Sequence, residues 1–75
     1  MQNYIVIEIQ VSDQGTVSTI PIAYEDYWTA QQKYHTVLSF AAVSDLPIHG
    51  AVILSPYGDV IEKKSYNRRV SEPEE

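Results

Sequence analysis

The chain has 75 residues, with ten Asp and Glu against five Lys and Arg, a formal charge of −5, two histidines and no cysteine. A domain of this length buries only about 60% of the surface of its unfolded chain, so its margin of stability is small. The absence of cysteine excludes disulfides and thiolate metal sites, and two histidines are too few for a closed zinc site without carboxylates. Oligomerisation remains as the route to extra stability.

The excess of acidic residues also limits the classes of partner that the protein can bind. It argues against a broad electrostatic grip on duplex nucleic acid or anionic lipid. No apolar run approaches the roughly 20 residues of a membrane span, and no basic region followed by an apolar stretch opens the chain. We therefore expect no membrane association and a cytoplasmic location in a bacterial cell.

The first half of the chain predicts a hairpin followed by a helix. Tyr4–Val11 alternates with a period of two, and residues 16–24 form a second strand after turn residues. Near residues 18–19 the apolar side chains change from one face of the second strand to the other, which predicts a bulge there. Pro21 lacks a donor for the ladder and predicts an edge strand. A period near 3.6 then predicts a helix over residues 26–43, with Asp26 as its N-cap.

The second half predicts another hairpin. Residues 48–55 and 59–66 form strands around the turn signature that Pro56 and Gly58 supply. The fold class is α+β, with the order ββαββ and a four-stranded antiparallel sheet that carries one helix on one face. We predict the strand order 2-1-3-4, a single domain over residues 1–69 and a disordered acidic tail over 70–75.

One helix covers one face of such a sheet, so the other face needs a cover. We expect that second face to carry Tyr4, Val6, Ile53 and Ile61. A contiguous apolar patch of this kind is larger than a monomer usually exposes. The pattern therefore predicts a homo-oligomer with these four residues in its interface, unless the twist of the sheet hides part of the patch.

Catalytic, metal-binding and cofactor-binding motifs are not found in the sequence. His35 and His49 are interpreted as surface or boundary residues, and Glu25 and Asp26 fit the start of a helix. A nucleophile needs an oriented base and a third group, and no such context is present. We predict no enzyme activity, no metal and no cofactor.

The cations are concentrated near the last strand, beside aromatic rings. The predicted ligand-binding residues are Tyr57, Lys63, Lys64, Tyr66, Arg68 and Arg69. Rings beside cations can stack a base and pair a phosphate. Strand alternation places Lys64, Tyr66 and Arg68 on one face and Lys63 on the other. The alternative is that these lysines only protect an edge strand from pairing.

The helix and the third strand also carry a resemblance. The runs Lys33-Tyr34-His35-Thr36-Val37-Leu38 and Ala41-Ala42-Val43-Ser44, followed by Pro47, His49, Ala51-Val52 and Gly58, resemble short uncharacterised proteins of phages and prophages of Firmicutes, often encoded near tail and lysis genes. The resemblance covers most of residues 3–66. It implies a viral accessory protein and no activity, since that family offers no catalytic residues to carry over.

These observations together favour a non-catalytic, homo-oligomeric binding protein that counters a host defence factor. Its partners are expected to be further copies of itself and either a host protein or a small nucleotide signal. The alternative is a structural or assembly protein of the phage tail module, which would dock a virion component on its apolar face.

Overall fold

The computed structural model of the chain describes residues 3–68. Its elements are β1 (Tyr4–Val11), β2 (Val17–Tyr24), α1 (Tyr27–Ala42), β3 (Ile48–Leu54) and β4 (Val60–Asn67). The predicted α+β class and the order ββαββ are confirmed. The tail predicted over residues 70–75 lies outside the described residues.

The four strands form one antiparallel sheet in the order β2-β1-β3-β4, as predicted. Because β1 runs antiparallel to both β2 and β3, these two strands are parallel to each other, and α1 connects them across β1. β2 and β4 are the edges of the sheet. Pro21 therefore lies on an edge strand, where its missing N–H group costs least.

The predicted bulge near residues 18–19 is wrong. β2 pairs with β1 without interruption from Val17 to Tyr24. The shift in register lies between β3 and β4, where Ile53 pairs with Glu62 and Leu54 with Val60. Val17 is 63% exposed, so the change of apolar phase in this edge strand reflects weak burial and not a break in pairing.

The two hairpins close with the same turn. The Gly15 N–H donates to the Ser12 carbonyl over 2.9 Å, and the Gly58 N–H donates to the Ser55 carbonyl over 3.0 Å. Both glycines have positive φ, 85° and 91°, as a type I turn with a following left-handed residue requires. In each turn the serine Oγ accepts two further backbone N–H groups, which rigidifies both hairpins.

The helix begins where its cap residue predicts. The Asp26 carboxylate accepts from the Thr29 N–H over 2.8 Å, which satisfies one of the open donors of the first turn. On the inner side, Ala30 and Ala41 are fully buried, so small side chains bring the helix close to the sheet. Within residues 3–68 no helix is long and apolar enough to cross a membrane.

The two faces of the sheet are the reverse of those expected. Val6 is 2% exposed and Ile53 0%, and both belong to the core beneath α1. Tyr4 and Ile61 pack against the same core. The predicted oligomer interface of Tyr4, Val6, Ile53 and Ile61 is thus wrong, because these side chains are covered by the protein's own helix.

The connection between the parallel strands β2 and β3 explains why the helix covers this side of the sheet and not the other. Both phases of β1 are apolar, so hydrophobicity alone does not select the face that the helix covers. A crossover between parallel strands is right-handed in nearly all folds, and this handedness places the helix on one side. Within residues 3–68, no second layer covers the other side of the sheet, which carries Ile5, Ile7 and Ile9 of β1.

Gly50 provides a test of the close approach between β3 and β4. A Cβ atom at this position would lie 2.5 Å from both the Lys64 carbonyl oxygen and the Ser65 Cβ. Since two strands cannot separate without losing their hydrogen bonds, Gly50→Ala should destabilise the protein by about 1–3 kcal/mol. Urea unfolding followed by circular dichroism measures this difference.

The control is Ser18→Ala, an exposed position on β2, where a change below about 0.5 kcal/mol is expected. Equal stability of the Gly50→Ala variant and the wild type would contradict the close approach of the two strands.

Candidate functional site: a cationic and aromatic patch on the edge strand

Three of the predicted ligand-binding residues come together on β4 and just beyond it. The Lys64 Nζ lies 5.2 Å from the centre of the Tyr66 ring, and the Arg68 Cζ lies 5.6 Å from it. Lys64 and Arg68 are exposed, and Tyr66 is half-buried. We call Lys64, Tyr66 and Arg68 the cationic patch. It lies on the side of the sheet that carries α1.

The other predicted residues do not join this patch. Lys63 pairs with Val52, and strand alternation therefore turns it to the opposite side of the sheet. Tyr57 lies in the β3–β4 turn, at the far end of β4 from Tyr66, which places it roughly 20 Å away at the usual rise of a strand. Arg69 lies outside the described residues. Of the six predicted ligand-binding residues, three thus lie together in the cationic patch.

Arg68 also has a structural role that the sequence did not reveal. Its Nη2 donates to the Ala41 carbonyl over 2.9 Å and to the Ala42 carbonyl over 2.8 Å. These carbonyls belong to the last turn of α1, where intrahelical donors are missing and the helix dipole favours a cation. The side chain thus joins the end of the edge strand to the end of the helix.

A second polar cluster lies beneath the helix. The His49 Nε2 is 2.7 Å from the Glu8 Oε2, and the Gln10 Nε2 donates to the same oxygen over 2.9 Å. His49 is only 6% exposed, so its interpretation as a surface or boundary residue is wrong. Antiparallel pairing aligns Gln10 with His49, and Glu8, two residues before Gln10 on β1, is the diagonal neighbour of His49.

The strand order and the alternation of β1 together could have predicted this polar cluster. Glu8 and Gln10 share the phase of Val6, and His49 shares the phase of Ala51 and Ile53. Once Val6 is placed in the core, the three polar side chains must also face α1. The error about His49 therefore follows from the error about the face.

The electrostatics of the cluster fix the state of Glu8. Burial raises the pKa of the Glu8 carboxyl, but the hydrogen bonds from His49 and Gln10, with the charges of His49 and Lys33, outweigh it and leave the pKa below 4.5. An ionised carboxylate only accepts hydrogen bonds, so the His49 Nε2 carries the proton between them. Among residues 3–68, the buried His49 Nδ1 has no hydrogen-bond partner.

An aromatic contact series lies at the opposite end of the helix. The rings of Tyr4 and Tyr27 meet edge to face at 5.5 Å, and those of Tyr27 and Trp28 at 4.8 Å. Tyr27 also accepts a hydrogen bond from the nearly buried Gln31. Trp28 is 72% exposed at the end of this series. These rings fix the start of α1 on the sheet and lie away from the cationic patch.

Comparisons of the chain with protein-family models, curated proteins and solved structures found no match. Within the described part of the chain, no three His, Cys, Asp or Glu side chains are grouped as metal ligands.

The Glu8 cluster predicts a specific dependence of stability on pH. The pKa of Glu8 is lowered in the folded state, so its contribution is complete above the ordinary value of 4.5 and is lost as the pH falls through the lowered value. Glu8→Gln should be less stable than the wild type at neutral pH, and the difference should shrink as the pH falls below 4.5. Urea unfolding midpoints over this range measure it.

The control for this experiment is Gln32→Ala, since Gln32 is an exposed neutral residue on the outer side of α1. This variant should follow the pH dependence of the wild type. A difference between Glu8→Gln and wild type that stays constant with pH would contradict the role of the ionised carboxylate.

The contacts of Arg68 predict a local effect on the helix. Arg68→Ala removes two charge-assisted hydrogen bonds to the last turn, so amide hydrogen exchange at Val43 and Ser44 should become faster. The N–H groups of these residues donate to carbonyls of the same turn. Amides near Ala30, at the other end, serve as the internal control and should keep their exchange rates.

Proposed function

We propose that the protein is a non-catalytic, homo-oligomeric accessory binding protein of a phage or prophage, which sequesters an anionic host ligand and so counters a host defence factor. The observation that carries the proposal is the cationic patch. In it, Lys64 and Arg68 lie beside the Tyr66 ring, although the chain as a whole is acidic. The ligand is a nucleotide signal or the acidic surface of a host protein.

The arrangement of the cationic patch supports an anion as the ligand. Lys64 is exposed, and its ammonium group supplies three donors as a compact charge. The Tyr66 ring holds this charge at 5.2 Å and offers an apolar wall beside it. A phosphate or carboxylate that meets Lys64 therefore has an aromatic surface within reach, which suits a nucleotide base or an aromatic side chain.

The buried polar cluster supports binding without catalysis. The Glu8–His49 pair is the described arrangement that comes nearest to a general acid and base. A general base must approach the proton that it abstracts to within a hydrogen bond. His49 lies under α1 with 6% exposure, which favours a structural role for its ring over contact with a substrate. The pair instead holds β1 and β3 together beneath the helix.

The apolar side of the sheet favours a second candidate, the structural or assembly protein of a phage tail module. Ile5, Ile7 and Ile9 line a side that no element of residues 3–68 covers, and such a surface also suits a virion component. The two candidates differ in what the Lys64 side chain does, because docking of a virion component on the other side of the sheet does not require it.

Lys64 and Lys63 form a matched pair for the test. Lys64→Ala should weaken anion binding at least tenfold, because a hydrogen bond to a charged group contributes about 1.5–3 kcal/mol. Lys63→Ala removes the same charge from the neighbouring position on the opposite side, so it should bind with the affinity of the wild type. Calorimetry with a panel of cyclic and linear nucleotides, and with acidic host proteins, measures both variants.

Equal loss of affinity in the two variants would indicate a general effect of charge and contradict a site at the cationic patch. Wild-type protein without affinity for any nucleotide would leave the acidic host protein as the ligand. A lack of affinity for both classes would support the tail-module candidate.

A further inference from the structure

The side of the sheet opposite α1 is apolar and has no second layer within residues 3–68. Its centre is formed by alternate residues of the two inner strands, all of them half-buried, which we call the open face: Ile5, Ile7, Ile9, Val52 and Leu54. Ile7 pairs with Val52 and Ile5 with Leu54, so these side chains are direct neighbours. The shortest extent of the molecule is 19 Å, as two layers require.

The carboxylates of residues 3–68 lie away from this surface, and Lys63 of β4 is the charged residue at its edge. No carboxylate of residues 3–68 projects from the open face, although the chain is strongly acidic. The acids occupy the hairpin turns, the regions next to the helix ends and the side that carries α1: Asp13, Asp59, Glu25, Asp26, Asp45, Glu8 and Glu62. Two copies of an acidic protein can therefore meet through this face without bringing carboxylates together.

The size of the surface also fits a dimer. Four strands of seven or eight residues form a face of roughly 27 Å by 19 Å, or about 500 Å² in projection. Two such faces together bury on the order of 1,000 Å², which is the lower bound for a specific interface. In a single copy, no element of residues 3–68 covers this area.

We infer that the open face is a self-complementary interface, and that a second copy of this chain packs on it sheet against sheet. This deepens the homo-oligomeric part of the proposed function and rests on it. A two-fold axis that passes near Ile7 and Val52 sets each of these residues against its own counterpart. The side chains of the two sheets interdigitate as in a β-sandwich, with the helices on the outside.

The exposed apolar residues on and next to α1 do not form a competing interface. Phe40 is 66% exposed and Val43 80%, near the end of α1, whereas Trp28 lies at its beginning. Polar residues separate them along the outer side of the helix, including Gln32 and Ser39. These positions give isolated rings and a short apolar pair, but no continuous surface.

Sedimentation equilibrium tests the proposal with one variant on the open face and one off it. Wild-type protein at micromolar concentration should have twice the 8.5 kDa mass of one chain. Ile7→Glu places a carboxylate at the centre of the interface and should give a folded monomer. Phe40→Glu makes a similar apolar-to-acid change on the outer side of α1 and should remain a dimer.

A second measurement covers the case in which Ile7→Glu does not fold. The chain has no cysteine, so single cysteines can be introduced without background reaction. A short bismaleimide should cross-link the Val52→Cys protein into dimers at low protein concentration. It should leave Thr36→Cys, on the outer side of the helix, as monomers.

Monomeric wild-type protein, or cross-linking at Thr36→Cys but not at Val52→Cys, would overturn the proposal. Either result could occur while Lys64→Ala still loses affinity for an anion and Lys63→Ala does not. Failure of the dimer is thus distinguishable from failure of the ligand site. A dimer that persists in folded Ile7→Glu also counts against the open face.

Discussion

One sixteen-residue helix covers one side of a four-stranded sheet that is apolar on both sides, and the rest of the structure depends on this mismatch. The covered side supplies the core, with Val6 and Ile53 beneath Ala30 and Ala41. The small alanines let the helix approach the sheet closely. This close approach also buries a polar side chain on the same side of the sheet, that of His49. Within residues 3–68 the other side has no cover and its isoleucines stay partly exposed, which favours a second copy as the missing layer.

The local elements could be predicted from the sequence because each has a strong short-range signal. The period of two in β1, the Asp26 cap and the Ser-x-x-Gly turns define the boundaries to within a few residues. The strand order also followed from the connections. The choice of face could not be made in the same way, since Ile5, Ile7 and Ile9 are as hydrophobic as Tyr4 and Val6. That choice depends on the handedness of the crossover, which hydrophobic periodicity does not report.

The candidate site could likewise be predicted only where a short-range pattern in the sequence defines it. Strand alternation correctly grouped Lys64 with Tyr66 and separated Lys63, because these relations need only the pleat of one strand. The contact of Arg68 with the helix carbonyls joins residues that are far apart in the chain. No local pattern identifies such a contact. The pairing of Glu8 with His49 likewise depends on the register between two strands, which is known only once the sheet is assembled.

The positions of the charges connect assembly with ligand binding. Lys64 and Lys63 are neighbours in sequence, yet the pleat directs one to the side of the helix and the other to the edge of the open face. A dimer through the open face would leave both cationic patches on the outside, on opposite sides of the assembly. Each patch would then meet its ligand independently, so such a dimer would add stability and multivalency without shaping the site. In such a dimer, an acidic chain of this size would separate the surface that it uses for assembly from the one that it offers to a partner.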